Sequence, residues 1–110
     1  ISNADVIDCK YWNQSPLCQY FNDAVFSCRV GLLKPDRQIY ELAMQRLNVA
    51  PRQCLFIGDG GSNELCGAKS AGMKTVFSEM LETKTHEQRK NILKNADYHV
   101  SHIKELFYLI

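Results

Sequence analysis

CLFIGDGGSNELCGAKSAGMKTVFS, residues 54 to 78, passes from an apolar run through a helix-like stretch into a β-branched run. "CLFI" (54 to 57) reads as a short buried strand, "SNELCGAKSA" (62 to 71) as a helix closed by Gly72, and "KTVFS" (74 to 78) as a second strand. Strand, helix and strand within about 25 residues is the signature of a parallel pair joined by a helical crossover. The join is unusual in its chemistry, because the first strand runs straight into Asp59 with Glu64 close behind. A buried carboxylate costs several kcal/mol unless a cation or hydrogen-bond donors meet it. A positive partner is therefore expected near this loop.

The same alternation extends in both directions. "PLCQYF" after Ser15 predicts a short helical turn and "AVFSC" (24 to 28) a strand. With Pro35 in the first turn, Ile39, Ala43 and Leu47 recur at steps of four beside Tyr40 and Met44, which predicts an amphipathic helix ending at Asn48, with Tyr40, Met44 and Leu47 in the core. Thr85 followed by Gln88 is a capping box opening a charged helix to about Asn95, and "KTHEQRK" (84 to 90) reads as its solvated face. "DYHV" (97 to 100) is a short strand, and Ser101 is expected to open a last helix carrying Ile103, Leu106, Phe107 and Ile110. The whole predicts an α/β fold: a Rossmann-like, three-layer α/β/α arrangement around a parallel sheet.

With 110 residues, 45% of them hydrophobic, the chain holds one core and not two. Its 13 basic and 12 acidic residues are interspersed, so neither nucleic acid nor a membrane surface is expected as a partner. No apolar run reaches membrane-spanning length and the start lacks a signal-like stretch, so a cytoplasmic protein is expected. The chain has no initiator Met, and "IS" at its start looks like the last step of a strand, so residues 1–110 are expected to be part of a longer protein. Five cysteines at irregular spacings, without a C-x-x-C pair, read as reduced and mostly buried thiols. His86, His99 and His102 lack the spacing of a metal site.

In an open α/β sheet, ligands gather at the carboxyl ends of the strands, where Asp59 falls. Gly60 and Gly61 let the backbone turn, and Ser62 and Asn63 open a helix whose amides favour an anion. A hard cation such as Mg²⁺ takes one or two carboxylates and keeps several waters, which makes Asp59 the leading ligand candidate. "IS" ends at Ser2 and Asn3, small donors suited to phosphoryl oxygens. "GLLKP" places Lys34, a positive charge able to stabilise transferred phosphate, just before a helix.

"ISNA", "KP" with the "DRQIYELAMQRL" helix, and "GDGGSNE", in that order, resemble the second, third and fourth motifs of the haloacid dehalogenase-like hydrolase superfamily, known chiefly for Mg²⁺-dependent phosphatases. The resemblance spans nearly the whole chain. It implies that Ser2 and Asn3 hold phosphate, that Lys34 organises nucleophile and phosphate, that Asp59 ligates Mg²⁺ and that Glu64 supports the metal or Lys34. Lys34 and Ser2 are then the catalytic candidates, and Asp59 and Glu64 the metal candidates. The family's D-x-D pair, which carries the aspartyl nucleophile, and the usual cap segment are not found; Asp5 and Asp8 follow Ser2 instead of preceding it. Residues 1–110 therefore read as the C-terminal part of a hydrolase core, acting on a small phosphorylated metabolite through an aspartyl-phosphate formed upstream. The resemblance also implies that the absent first strand lies between the strands ending at Ser2 and Ile57, so this piece alone is expected to be inactive and loosely packed or aggregated.

Two other readings compete. A non-catalytic interaction or regulatory module would keep the fold and lack both aspartates of the upstream pair. A phospho-receiver domain suits the length, but there the acidic residues precede the lysine, whereas Lys34 precedes Asp59.

Overall fold

The computed structural model describes residues 1–110. Its strands are β1 (Leu55–Gly58), β2 (Lys74–Ser78) and β3 (Tyr98–Val100), and its helices α1 (Val6–Cys9), α2 (Ser27–Val30), α3 (Arg37–Leu47), α4 (Glu64–Ser70) and α5 (His86–Leu93). The sheet runs in the order β1-β2-β3, with both pairings parallel, Ile57 opposite Val76 and Phe77 opposite His99. This is the expected α/β fold with a parallel sheet, and α4 and α5 are its crossovers. β2, the middle strand, is buried from Thr75 to Ser78, as a strand covered on both faces should be.

The core forms where α3 and α4 lie together. Ile39, Tyr40, Ala43 and Met44 from α3 meet Val25, Ala68, Ala71 and Met73 in one cluster, and the helix stops at Asn48 in the left-handed conformation. Leu47, expected in the core, is 47% exposed because the last turn of α3 runs past the cluster. Pro35 lies outside α3 rather than in its first turn, because Asp36 is the cap. The buried polar groups are satisfied: the Thr75 hydroxyl donates to the Asn95 carbonyl at 2.6 Å, and Asp97 accepts from the Thr75 amide at 2.9 Å and Lys69 at 3.1 Å.

The Thr85 capping box is present: the Thr85 hydroxyl accepts from the Gln88 amide at 3.2 Å, and the Gln88 side chain from the Thr85 amide at 2.9 Å. The helix it opens, α5, ends at Leu93. Three expectations differ at the ends. "AVFSC" does not form a strand; only Phe26 pairs, in an isolated parallel bridge to Ser2, because the Ser27 hydroxyl binds the Ala4 amide at 2.9 Å and the chain turns there into α2. The last helix is a 3-10 segment, Ile103–Tyr108, capped by His102 instead of Ser101, with Glu105 accepting both the Ser101 and His102 amides. Its Phe107 is 74% exposed and Ile103 53%, while Leu106 is half-buried, so only part of the expected apolar stripe is covered. Of the cysteines, only Cys9 is buried and Cys28 is exposed; all five are free thiols.

The Ser2–Phe26 bridge stands apart from the three-stranded sheet. The outer edge of β1 has no partner strand, and Ile57 on it is 41% exposed.

Candidate functional site

Three carboxyl-side segments converge at the end of β1. The first is the acidic loop itself. Asp59 follows the last strand residue, and its Oδ1 accepts the Gly61 amide at 2.8 Å, closing the tight turn that aspartate and glycine favour. Ser62 and Asn63 both take left-handed φ values before α4 begins. The Glu64 side chain then folds back over the strand end, and Gly58 makes that possible, since a Cβ there would lie 2.1 Å from Glu64 Oε1.

Glu64 is 5% exposed, and it answers the electrostatic problem posed by the sequence. Its Oε2 pairs with Lys34 Nζ, and its Oε1 accepts the Gly60 amide at 3.3 Å. Its backbone carbonyl accepts the buried Tyr40 hydroxyl at 2.8 Å, joining α3 to the start of α4. Lys34 is thus the expected positive partner, drawn to Glu64 across 30 positions of sequence.

Lys34 is fixed at its backbone too. The Asn3 carboxamide donates to the Lys34 carbonyl at 3.0 Å and accepts the Lys34 amide at 2.8 Å. The Lys34 ammonium stands 6.0 Å from the centre of the Phe56 ring on β1. Through Asn3 and Lys34 the Ser2 segment is thus linked to Glu64 beside Gly58 at the end of β1. Ser2 itself is half-buried, its backbone paired with Val25 and Ser27 at 2.8 and 2.9 Å.

Asp59 is unlike Glu64 in being open: its side chain is 55% exposed. The Gly61 amide chiefly, then the positive charges of Lys84 and Lys34, hold its carboxyl below the ordinary aspartate range, so it is an anion throughout the neutral region. Lys84, which lies 3.9 Å from Asp59 Oδ2, belongs to this site and was read from sequence as solvated surface. Its side chain is only 11% exposed, held also by Glu82 at 2.7 Å. The signal that could have found it is its place just after β2, at the same strand-end level as Asp59. Arg89 likewise turns inward, pairing with Glu79 at 2.8 Å, while His99 reaches the same carboxylate at 3.0 Å and stacks on Phe77. A mainly polar cavity of about 300 Å³ opens beside the loop, lined by Gly60, Gly61, Asn63, Lys84 and Gln88 among others.

The donor chemistry fits a hard cation in part. Asp59 offers an ionised, exposed carboxylate, and such a cation takes its remaining ligands from water and phosphoryl oxygens. Both Glu64 oxygens are occupied, by Lys34 and by Gly60. No group of three or more His, Cys, Asp or Glu side chains gathers to hold a metal.

Parallel strands with a buried lysine–glutamate pair and an open aspartate beside the end of β1 define an α/β core with a charged site at the carboxyl ends of its strands. The chain belongs to the haloacid dehalogenase-like hydrolase family, whose model matches residues 12–72, a stretch that includes Lys34, Asp59 and Glu64. Rat bifunctional epoxide hydrolase 2 is 40% identical over 61 residues, covering 56% of this chain and 11% of that protein. Glyceraldehyde 3-phosphate phosphatase of Pyrococcus furiosus is 30% identical over 90 residues, 82% of this chain and 37% of the phosphatase. Among solved structures, the HAD phosphatase from Thermococcus onnurineus superposes with a TM-score of 0.74 at 25% identity, over 96% of this chain and 46% of its own. The chain thus spans well under half the length of these curated relatives.

Proposed function

We propose that residues 1–110 are the C-terminal part of the core of a cytoplasmic, Mg²⁺-dependent phosphatase. It acts on a small phosphorylated metabolite through an aspartyl-phosphate whose nucleophile lies upstream of Ile1. The observation that carries this reading is the buried Lys34–Glu64 pair set beside the open, ionised Asp59 at the end of β1.

Each residue has a part. Lys34, held at its head by Glu64 and at its backbone by Asn3, presents an ammonium that draws an attacking carboxylate and phosphoryl oxygens together. Ser2 supplies a hydroxyl to a phosphoryl oxygen. Asn3 serves phosphate through where it places Lys34, since both polar atoms of its side chain are engaged there. Asp59 would hold Mg²⁺ directly, and Glu64 would support it through Lys34; when bound, the cation offsets charge on the phosphoryl oxygens. The unpaired outer edge of β1, and the Ser2–Phe26 bridge that stands apart from the sheet, favour a strand from upstream joining the two, its end delivering the nucleophile next to Lys34.

The test is phosphate release from a generic phosphoester by the full-length protein. Asp59→Asn should lower turnover by orders of magnitude, and chelation followed by Mg²⁺ should remove and restore it. Undiminished turnover by that variant would sink the assignment. A full-length protein that lacks D-x-D upstream and turns over nothing would be the non-catalytic module instead.

A further inference from the structure

Cys9 and Cys28 bring their sulfurs within 3.1 Å of each other, from α1 and α2, 19 positions apart. No other pair among the five cysteines makes such a contact, and neither sulfur has a part in the site at β1. The two thiols differ in access: Cys9 is 2% exposed, whereas Cys28 faces solvent. Their backbones are already held together, because Arg29 donates to the Cys9 carbonyl at 2.8 Å and the Ser27 hydroxyl bridges to the Ala4 amide and carbonyl. A disulfide needs sulfurs about 2.05 Å apart, so the two must close by about 1 Å to bond.

We propose that Cys9 and Cys28 are a redox modification site, closing reversibly to a disulfide that staples α1 to α2 when the protein meets a small-molecule disulfide such as oxidised glutathione. The Cys28 thiol, the accessible one, loses its proton to solvent, and its thiolate attacks one sulfur of the oxidant, whose other half leaves as a thiolate. Cys9 then loses its proton and attacks Cys28 Sγ, expelling the second thiolate. Two protein thiols are oxidised by two electrons, one small disulfide is reduced to two thiols, and the two protons released balance the two thiolates. The contact with Cys9 chiefly holds the Cys28 thiol above its ordinary range, so the first attack is slow at neutral pH, and equilibration over hours is the appropriate regime. α1 follows closely on Ser2 and Asn3, while α2 leads through Leu33 to Lys34, so the bond would fix the relative placement of two segments that meet at the site.

The experiment oxidises the full-length protein in glutathione disulfide, blocks free thiols under denaturing conditions and maps the peptides by mass spectrometry. Cys9 and Cys28 should escape alkylation together in one linked peptide that dithiothreitol releases, with Cys18, Cys54 and Cys66 still alkylated. Oxidised wild type should also melt several degrees above the reduced protein, and Cys28→Ser should abolish both effects. Full alkylation of Cys9 and Cys28 after oxidation, a stable glutathione adduct on Cys28 with Cys9 free, or linkage of either to another cysteine would each overturn the proposal.

Discussion

Replacing Gly67 with alanine sets two known effects of opposite sign against each other. In the middle of a helix, alanine is favoured over glycine by roughly 0.8 to 1.0 kcal/mol. A Cβ at Gly67, however, would lie 2.5 Å from the Pro35 carbonyl, 2.7 Å from the Tyr40 hydroxyl and 2.8 Å from Tyr40 Cε2, against about 3.5 to 4.0 Å for comfortable contact. Tyr40 cannot swing away, because it is fully buried and packs edge-on against Phe56 at 5.4 Å. Overpacking of this kind costs about 1 to 3 kcal/mol, and displacing the Tyr40 hydroxyl from the Glu64 carbonyl adds about 0.5 to 1.5 kcal/mol. Packing therefore outweighs propensity, with a net loss of about 2 kcal/mol. Denaturant unfolding of the full-length protein should show a lower midpoint at unchanged slope. In a Tyr40→Phe background the loss should shrink, since one of the three contacts has gone. A Gly67→Ala protein as stable as wild type, or more so, would refute the close seating of α4 on α3.

Three further outcomes follow from the site and the sheet. Lys34→Met leaves Glu64 buried without its cation and should cost about 3 to 5 kcal/mol, much of it recovered in the Lys34→Met/Glu64→Gln double variant; thermal or denaturant unfolding reads both. Asp97 is held below the ordinary aspartate range, first by the Thr75 amide and then by Lys69. Its contribution is therefore complete above a pH of about 4 and lost as acid protonates it, so Asp97→Asn should flatten the fall in unfolding midpoint with pH in that region. Residues 1–110 expressed alone should neither hydrolyse phosphoesters nor show a sharp thermal transition with strong near-UV dichroism, because the edge of β1 is unpaired; a well-packed monomer would contradict this.

Where neighbours in sequence decide the structure, the sequence was legible. β2 falls on "KTVFS" and the Thr85–Gln88 box opens α5 because each signal is contained within a few residues. The buried stripe Ile39, Tyr40, Ala43 and Met44 follows from helical spacing alone, but Leu47 on the same stripe is exposed, since spacing does not say where the opposing surface ends. "AVFSC" has strand-like composition and lost to a distant partner, the Ala4 backbone, which claims the Ser27 hydroxyl. At the site, a cation near the carboxylates was foreseeable from the cost of burying them, and the family's motif order pointed to Lys34. That Glu64 rather than Asp59 takes Lys34 depends on Gly58 leaving space for the glutamate to fold back. Lys84 was missed because it sits in a run of mixed charge that reads as surface, and only the loop after β2 carries it to Asp59.

The Asn3 carboxamide meets the Lys34 peptide as one peptide group meets another across a ladder, giving a hydrogen and receiving one. It works as a single rung supplied by a side chain. Aspartate has no hydrogen to give the Lys34 carbonyl, serine lacks the reach, and leucine has neither polar atom, so the join tolerates little besides asparagine. The segment carrying Ser2 and the one carrying Lys34 are latched there by a single side chain, set beside the backbone pairing of Ser2 with Val25 and Ser27.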